Sequence, residues 1–437
     1  MGPEAAGRAD MADMADMAGP SRWPDALDTA AFHGMAGEFV EAAQPHSEAD
    51  PAALLVSFLA AFGSAVGPGP HAVVGATRHP ARLFAVLVGQ SAKARKGESW
   101  SPVSRVLAAA DPSWAARVQQ GLSTGEGVIS AVRDRLEREG DDGEVVVVDP
   151  GVADKRLLAL APEFGRVLRV MARDGNTLSA VIREGWDSGD LRVMTKQPTI
   201  ATGAHLVIVG HVSLDELRQE LRALDAASGF ANRFLWLAVK RWQLLPDPPP
   251  FEGPKVSALA GEVAAAIARA RTLGVVPRDP EATELWRQLY PTLSADRPGL
   301  AGAVVSRHEA QAVRVSVIYS LLDRSPVVRV EHLEATVALL DYCAASATYI
   351  FGDRLGDPVA DAILAALREA GEMTRAQIWG DLLGRQTTKP RIEAALRLLA
   401  ESGLAHQEME SSGGRPVEIW QPGAALTALT ALRGGRR

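Results

Sequence analysis

The sequence predicts an α/β fold: a mostly parallel sheet with flanking helices, then a helical region and a small C-terminal module. Three observations predict it. Apolar, β-branched runs such as "RLFAVLVG" and "GAHLVIVGHV" alternate with helical stretches, the pattern of a parallel sheet covered on both faces. A Pro-rich break, "QLLPDPPPFEGP" at 243–254, ends the alternation, and the pattern beyond it is helical to about Gly352. From near Asp357, three helical runs precede two strand-like pieces joined by Ser411-Ser412-Gly413-Gly414-Arg415, the order of a winged helix.

Composition sets the frame for these elements. A chain of 437 residues is too long for one ordinary core, and 47% hydrophobic with 23% charged residues is the balance of a globular protein. One cysteine, Cys343, excludes an intramolecular disulfide and a cysteine zinc cluster and suits a reducing cytoplasm. The net charge of -7 means that any nucleic-acid surface must be local. The Ala-Asp-Met repeat predicts a low-complexity tail over 1–30 without the apolar core of a targeting signal, and Met11, Met14 and Met17 are alternative starts.

The elements follow in order. "PAALLVSFLAAFGSAVGPGP" is short for a membrane span and contains Ser and Gly; it predicts a buried helix starting at Asp50-Pro51 and stopping at Gly67-Pro68-Gly69. The protein is expected to be cytoplasmic, with no membrane partner. "RLFAVLVG" is a strand and "SWSPVSRVLAAA" a helix; "GEVVVVD" and "KRLLALAPEF" are strands and "LSAVIREGWDSG" a helix. "GAHLVIVGHV" is a strand, "LDELRQELRAL" a helix and "RFLWLAVKR" a final strand. Trp100, Trp114, Trp186, Trp236 and Trp242 stand beside apolar runs and are expected in the core. Ligands of such sheets bind at the carboxyl ends of strands, where Gly89, Glu163, Gly210 and His211 are predicted to sit.

"LFAVLVGQSAKARKGESW" has the outline of a strand feeding a phosphate-binding loop, with spacing other than G-x-x-x-x-G-K-[ST]. Such a loop needs small residues, so that backbone N–H groups reach phosphate, and Gly89, Ser91, Ala92, Ala94 and Gly97 supply them. Lys93, Arg95 and Lys96 compete for the phosphate contact, and Ser99 or Ser101 for Mg²⁺. Glu163, just past a strand, can hold the metal shell or orient water, and His211 can sense a γ-phosphate. Arg233 can serve as an arginine finger toward a neighbouring subunit or as a surface ion-pair residue. In "LSTGEGVISAVRD", Ser123, Thr124 and Glu126 read as a helix-capping turn or as nucleotide contacts. No H-E-x-x-H, C-x-x-C or G-x-S-x-G occurs, which removes local support for metalloprotease, zinc-finger and α/β-hydrolase readings.

These stretches, with "FHGMAGEFVEAAQPHSEADPAALLVSFLAAFG", "APEFGRVLRVMARDGNTLSAVIREGWDSGDL" and "GFANRFLW", resemble a family of bacterial, phage and plasmid proteins with a RecA-like P-loop ATPase domain. That family is related to RepA- and DnaB-type replicative helicases, and some members are joined to primase–polymerase modules. The resemblance covers roughly Ala31 to Arg241. It implies that Gly89 through Ser99 form the Walker A loop, that Glu163 belongs to Walker B, and that Arg233 acts across a subunit interface. Ala94 stands where relatives often have Gly, and Ala161 where they often have an acid; Asp149, Asp154 or Asp187 are the candidates to compensate.

The expected domains are a RecA-like domain over 31–245, a helical domain over 255–355, a winged helix over 357–424 and a basic tail over 425–437. In the winged helix, Lys389, Arg391 and Arg397 on the recognition helix and Arg415 on the wing are expected to contact DNA phosphates. The expected function is DNA-dependent ATP hydrolysis at the subunit interfaces of a homo-oligomer, such as a hexamer, of a mobile element. Its cofactors are ATP and Mg²⁺, and a primase or other replication protein is an expected partner. The alternative is a hydrolysis-deficient DNA-binding initiator or regulatory scaffold.

Overall fold

The computed structural model describes residues 23–90, 94–139, 144–193, 199–220, 229–297, 299–352, 355, 357–385, 387–410 and 417–423. Helix α1 (Gly34–Ala43) leads to α2 (Pro51–Val66), the buried helix that the sequence predicts. Asp50 starts α2 by accepting from Ala52 N at 3.0 Å, and Pro51, whose missing N–H would be unpaired there anyway, takes the first position. Gly67, at φ 89°, ends it in a conformation that a side chain would strain. All residues from Ala52 to Val66 are buried, as expected of a helix apolar on every side.

Five parallel strands form the central sheet: β1 (Phe84–Gly89), β2 (Val118–Gln120), β3 (Arg156–Ala161), β4 (His205–Ser213) and β5 (Leu235–Val239). Their spatial order is β5-β1-β4-β3-β2. The register sets Gly89 opposite both Ser213 and Val239, and Gly210 opposite Ala161, so the carboxyl ends of four strands share one edge. Helix α3 (Trp100–Ala110) follows β1, and α4 (Gly125–Ala131) follows β2. After β3 come α5 (Phe164–Met171) and α6 (Leu178–Asp187), and after β4 comes α7 (Leu214–Glu220).

Five further helices complete the body: α8 (Pro254–Ala270), α9 (Pro280–Leu293), α10 (Gly299–Val305), α11 (His308–Leu322) and α12 (Val330–Phe351). The Pro-rich break separates them from the sheet in sequence and not in packing. One core cluster joins Ala85, Leu87, Val207 and Val209 of the sheet to α1, α2, α3, α8, α11 and α12. The other joins Val86, Val88, Ala159 and Ile208 to α4 through α7, α10 and the end of α12. Alternate residues of each strand serve opposite cores, which is why the strands are apolar throughout. Cys343 lies fully inside the first cluster.

One strand departs from expectation. "GEVVVVD" does form a strand, Val145–Asp149, yet it pairs antiparallel with Leu136–Glu139 in a separate hairpin. A parallel neighbour needs a crossover of a dozen or more residues, and the link to Arg156 is too short for one. Val145 to Val148 are consequently exposed. Trp242, expected in the core, is half exposed beside exposed Leu244, whereas Trp114, Trp186 and Trp236 are buried as expected.

The C-terminal module has a core of its own. It contains α13 (Pro358–Ala370), β6 (Met373–Thr374), a short helix Arg375–Gln377 that runs into a π-turn, α14 (Lys389–Glu401), β7 (Ala405–Glu410) and β8 (Val417–Pro422). The three strands are antiparallel in the order β6-β8-β7. No helix among the described residues is long and apolar enough to cross a membrane.

Candidate functional site

The carboxyl edge of the sheet gathers most of the candidate residues. Gly89 ends β1, and the chain returns at buried Ala94 before Arg95, at φ 52°, opens a tight turn over Lys96–Ser99 into α3. A left-handed conformation at a non-glycine residue costs energy and persists only where neighbours hold it. Arg95 is held by Glu48 at 2.8 Å and Glu98 at 2.9 Å, so its guanidinium is committed within the chain. Glu48 also accepts from Leu245 N at 2.9 Å, tying the loop to the segment that follows β5. Ser91 and Lys93 lie outside the described residues.

Lys96 is half-buried beside His211 and Glu216. Burial pulls its ammonium below the usual lysine range, and the Glu216 carboxylate works against that pull. Burial, with the Lys96 charge, pulls His211 down to about 4, so the ring is neutral at pH 7. Gly210 and His211 lie inside β4 rather than at its end, His211 opposite Leu87, and among the described residues its buried Nε2 has no hydrogen-bond partner. A neutral ring next to an ammonium is an environment that favours an incoming anion over a further cation.

Glu163 stands two residues beyond β3, exposed, as the first residue of the turn into α5. Two glycines let that turn close onto the edge. A Cβ on Gly210 would lie 2.6 Å from the Phe164 ring, and one on Gly165 would lie 2.3 Å from the Glu216 carboxyl. Glu216, which no local sequence pattern marks, therefore sits between Lys96 and Arg169, accepting from Arg169 at 3.1 Å. A cleft of about 960 Å³ opens beyond Glu163, lined by Ser123, Thr124, Arg166, Arg169 and Arg173. Thr124 caps α4 by accepting from Gly127 N at 3.0 Å, and Glu126 accepts from Thr177 at 3.0 Å, so the capping account of "LSTGEG" holds.

Several expected roles do not survive the geometry. Ser99 is fully buried, and its hydroxyl donates to Lys96 O at 2.8 Å with Ser57 Oγ at 3.5 Å on the other side. The two residues inserted after Lys96 carry Ser99 past the loop mouth into the core under α2. Ser99 thus spends its hydroxyl within the loop turn, while Glu163 stands exposed at the sheet edge. Asp149, Asp154 and Asp187, the candidates to compensate for Ala161, are each ion-paired within the chain: with Arg133 at 2.6 Å, Arg156 at 2.6 Å and Arg233 at 2.5 Å.

Arg233 precedes β5 and is buried, with its guanidinium on Asp187 and on the Gly229 carbonyl. It is not presented at a surface for a neighbouring subunit. It belongs to a group of arginines at the amino edge around Trp186. Arg82 and Arg314, both buried, donate to Trp186 O at 3.0 and 2.9 Å, and the Arg314 guanidinium lies 3.6 Å from the Trp186 ring centroid. The carbonyl end of α6 carries partial negative charge and so stabilises these cations.

Elsewhere, His33 and His332 meet Asp323 Oδ2 at 2.7 and 3.1 Å, a grouping with metal-ligand chemistry. His332 Nδ1 accepts from Arg329 N at 2.9 Å, so its proton is on Nε2 and is donated to Asp323. The trio is a closed hydrogen-bond staple that joins the N-terminal segment to α12.

In the C-terminal module, Lys389 and Arg397 are exposed on α14, whereas Arg391 grips Asp357 at 2.8 Å with both nitrogens and fixes α14 to the start of α13. Arg415 lies outside the described residues. No protein-family model matches the chain, and no curated protein matches it.

Proposed function

We propose that the chain is a RecA-like nucleotide-binding ATPase that works on DNA as a homo-oligomer, in the manner of a replicative-helicase motor of a mobile element. The observation that carries the reading is the carboxyl edge itself. One strand, bearing His211, lies between the strand that feeds the Gly89 loop and the strand that delivers Glu163, in a parallel order compatible with a RecA-like core. Ligands of open parallel sheets bind at such an edge.

In this reading the backbone of the loop and the Lys96 ammonium hold the triphosphate, and Lys96 stabilises charge on the transferring phosphoryl group. Glu163 orients the attacking water, neutral His211 lies beneath Lys96 as the polar contact that senses an added phosphate, and Glu216 keeps Lys96 protonated. Mg²⁺ enters with the triphosphate, and no step is assigned to a protein ligand for it, since Ser99 faces the core. Lys389 and Arg397 supply phosphate contacts in a C-terminal winged helix.

A second reading has a specific observation behind it. Ala161 ends β3 without a carboxylate, and Ser99 is withdrawn, which favours a chain that binds nucleotide and assembles on DNA without turning it over. Steady-state ATP hydrolysis with and without single-stranded DNA separates the two. DNA-stimulated turnover that is lost in Lys96→Ala supports the motor. ATP binding without turnover supports the scaffold, and failure to bind ATP in the presence of Mg²⁺ removes both.

A further inference from the structure

The cleft beyond Glu163 carries more cations than the proposed reaction uses. Arg166 and Arg169 on α5 and Arg173 just past its end, three and four residues apart, form one wall. Arg169 is engaged by Glu216 at 3.1 Å and Glu220 at 3.6 Å. Arg166 and Arg173 are exposed and make no ion pair among the described residues, and Glu163 is the one carboxylate lining the cleft with them. Buried Leu122, Val167 and Val170 supply an aliphatic floor, and no aromatic ring lines the cleft among the described residues. Single-stranded nucleic acid is held by ring stacking as well as by charge, so this lining suits an acidic peptide with small apolar side chains better.

The chain carries such a peptide. Residues 1–22 lie outside the described residues, and within them Asp10, Asp13 and Asp16 recur at every third position, each followed by Met11, Met14 or Met17. That period is close to the spacing of the arginines, and unbranched methionine adapts to an irregular apolar floor. The segment is also rooted within reach. Trp23, the first described residue, packs on Tyr349 with ring centroids 4.8 Å apart, and Lys240 Nζ lies 5.4 Å from the Trp23 centroid. Gln90 donates to the Tyr349 hydroxyl at 2.8 Å. Gln90 and Lys240 directly follow β1 and β5, so the segment leaves the body at the carboxyl edge.

The cleft opens on the same edge, at the ends of β3 and β2. Neighbouring strands are about 4.8 Å apart, which puts the cleft roughly 10–20 Å from Trp23 along the edge. Asp16 stands seven positions before Trp23, and an extended chain covers about 3.3 Å per residue, so even Asp16 reaches about 23 Å. Tethering raises the effective concentration of such a ligand to the millimolar range, where surface ion pairs that are weak singly suffice together.

We infer that the acidic repeat of the N-terminal segment docks in this cleft, with its aspartates on Arg166 and Arg173 and its methionines on the aliphatic floor. Docked there, the segment passes the end of β4 and lays an acidic strap across the sheet edge. The inference stands on charge, reach and the shape of the edge and holds whether or not the chain binds nucleotide.

The test is the rate of disulfide formation, with oxidised glutathione, in the full chain carrying Met14→Cys and Ser123→Cys; Cys343 is buried and does not compete. The expected result is a disulfide within one chain that forms roughly fivefold faster than in the same chain with Asp10→Asn, Asp13→Asn and Asp16→Asn added, or with Arg166→Gln and Arg173→Gln added. The difference shrinks in about 1 M salt. All these positions are exposed or lie outside the described residues, so the substitutions leave the core intact. Equal rates in the three chains reduce the contact to chance collision and overturn the docking. A rate that falls with the aspartate substitutions and not with the arginine substitutions puts the acids elsewhere and overturns the cleft. A disulfide that joins two chains overturns the intramolecular contact. Equal rates together with binding of a fluorescent oligothymidylate that is lost on Arg166→Gln and Arg173→Gln overturn the docking in favour of nucleic acid.

Discussion

At the scale of single residues, the structure separates groups that share a motif but not an environment. Lys96 and Ser99 are three positions apart, yet one borders the sheet edge and the other faces the core. Ser99→Ala is therefore expected to bind ATP as the native chain does, within about twofold, while losing about 1 kcal/mol of stability with its buried hydrogen bond. Titration calorimetry paired with thermal unfolding reads both quantities, and a loss of nucleotide binding would return Ser99 to the site. Gly210→Ala tests the turn that carries Glu163. The added Cβ meets the Phe164 ring at 2.6 Å, an overpacking worth about 1–3 kcal/mol. Denaturant unfolding that shows no loss would mean that the ring yields without cost.

The strand ends were legible at this scale because apolar runs stop abruptly at Gly89 and Ala161. Glu216 was not, because it reaches the edge only where Gly165 leaves room for it, and no local pattern announces which glycine makes room for a residue in another helix. The choice between finger and ion pair at Arg233 is not legible in the sequence for a related reason. Its partner Asp187 lies at the end of a different helix, so whether the guanidinium is spent or offered is decided by tertiary packing.

Elements show the same division. α2 was readable throughout, from its Asp50-Pro51 start to its glycine stop, since capping and burial are both local signals. The valine-rich strand was readable as a strand and not as a hairpin, because pairing depends on the length of the connection rather than on the run itself. That hairpin is held at its base by Arg133 on Asp149 and by Lys155 on Asp134, while its valines face solvent. Val146→Lys with Val148→Lys is accordingly expected to leave the denaturation midpoint within the range of ordinary surface changes, about 0.5 kcal/mol. A larger loss in thermal or urea unfolding would show that the valines are covered in solution.

For the whole molecule, both faces of one sheet are buried, and the fold thereby acquires an acid limit. His79 and His211 are held down at about 4, and His205 and His308 at about 3, chiefly by burial. Each folded-state value lies below that of the unfolded chain, near 6.5. Between those limits the unfolded chain binds more protons, so stability is fully present above pH about 6.5 and falls as the pH drops toward 4. Asp111 extends the loss to lower pH. Burial would raise its pKa, but hydrogen bonds from Ser113, Arg156, Arg271 and Trp114 N–H hold it well below the carboxylate range. Melting temperatures measured from pH 8 to pH 4 should fall steadily, and His205→Gln should flatten the slope. A flat profile in the native protein would contradict the buried, neutral histidines.

The position of Cys343 turns the molecule into its own clock. Its thiol is buried between the helical layer and the sheet, and burial raises its pKa far above that of a free thiol. An alkylating reagent can reach it only when α12 leaves the sheet, and with a single cysteine in the chain each modification event counts one opening. At high reagent concentration the labelling rate becomes the opening rate itself. A nucleotide that binds only the closed form would slow that rate, so one mass spectrum per time point reports occupancy of the sheet edge without any assay of turnover.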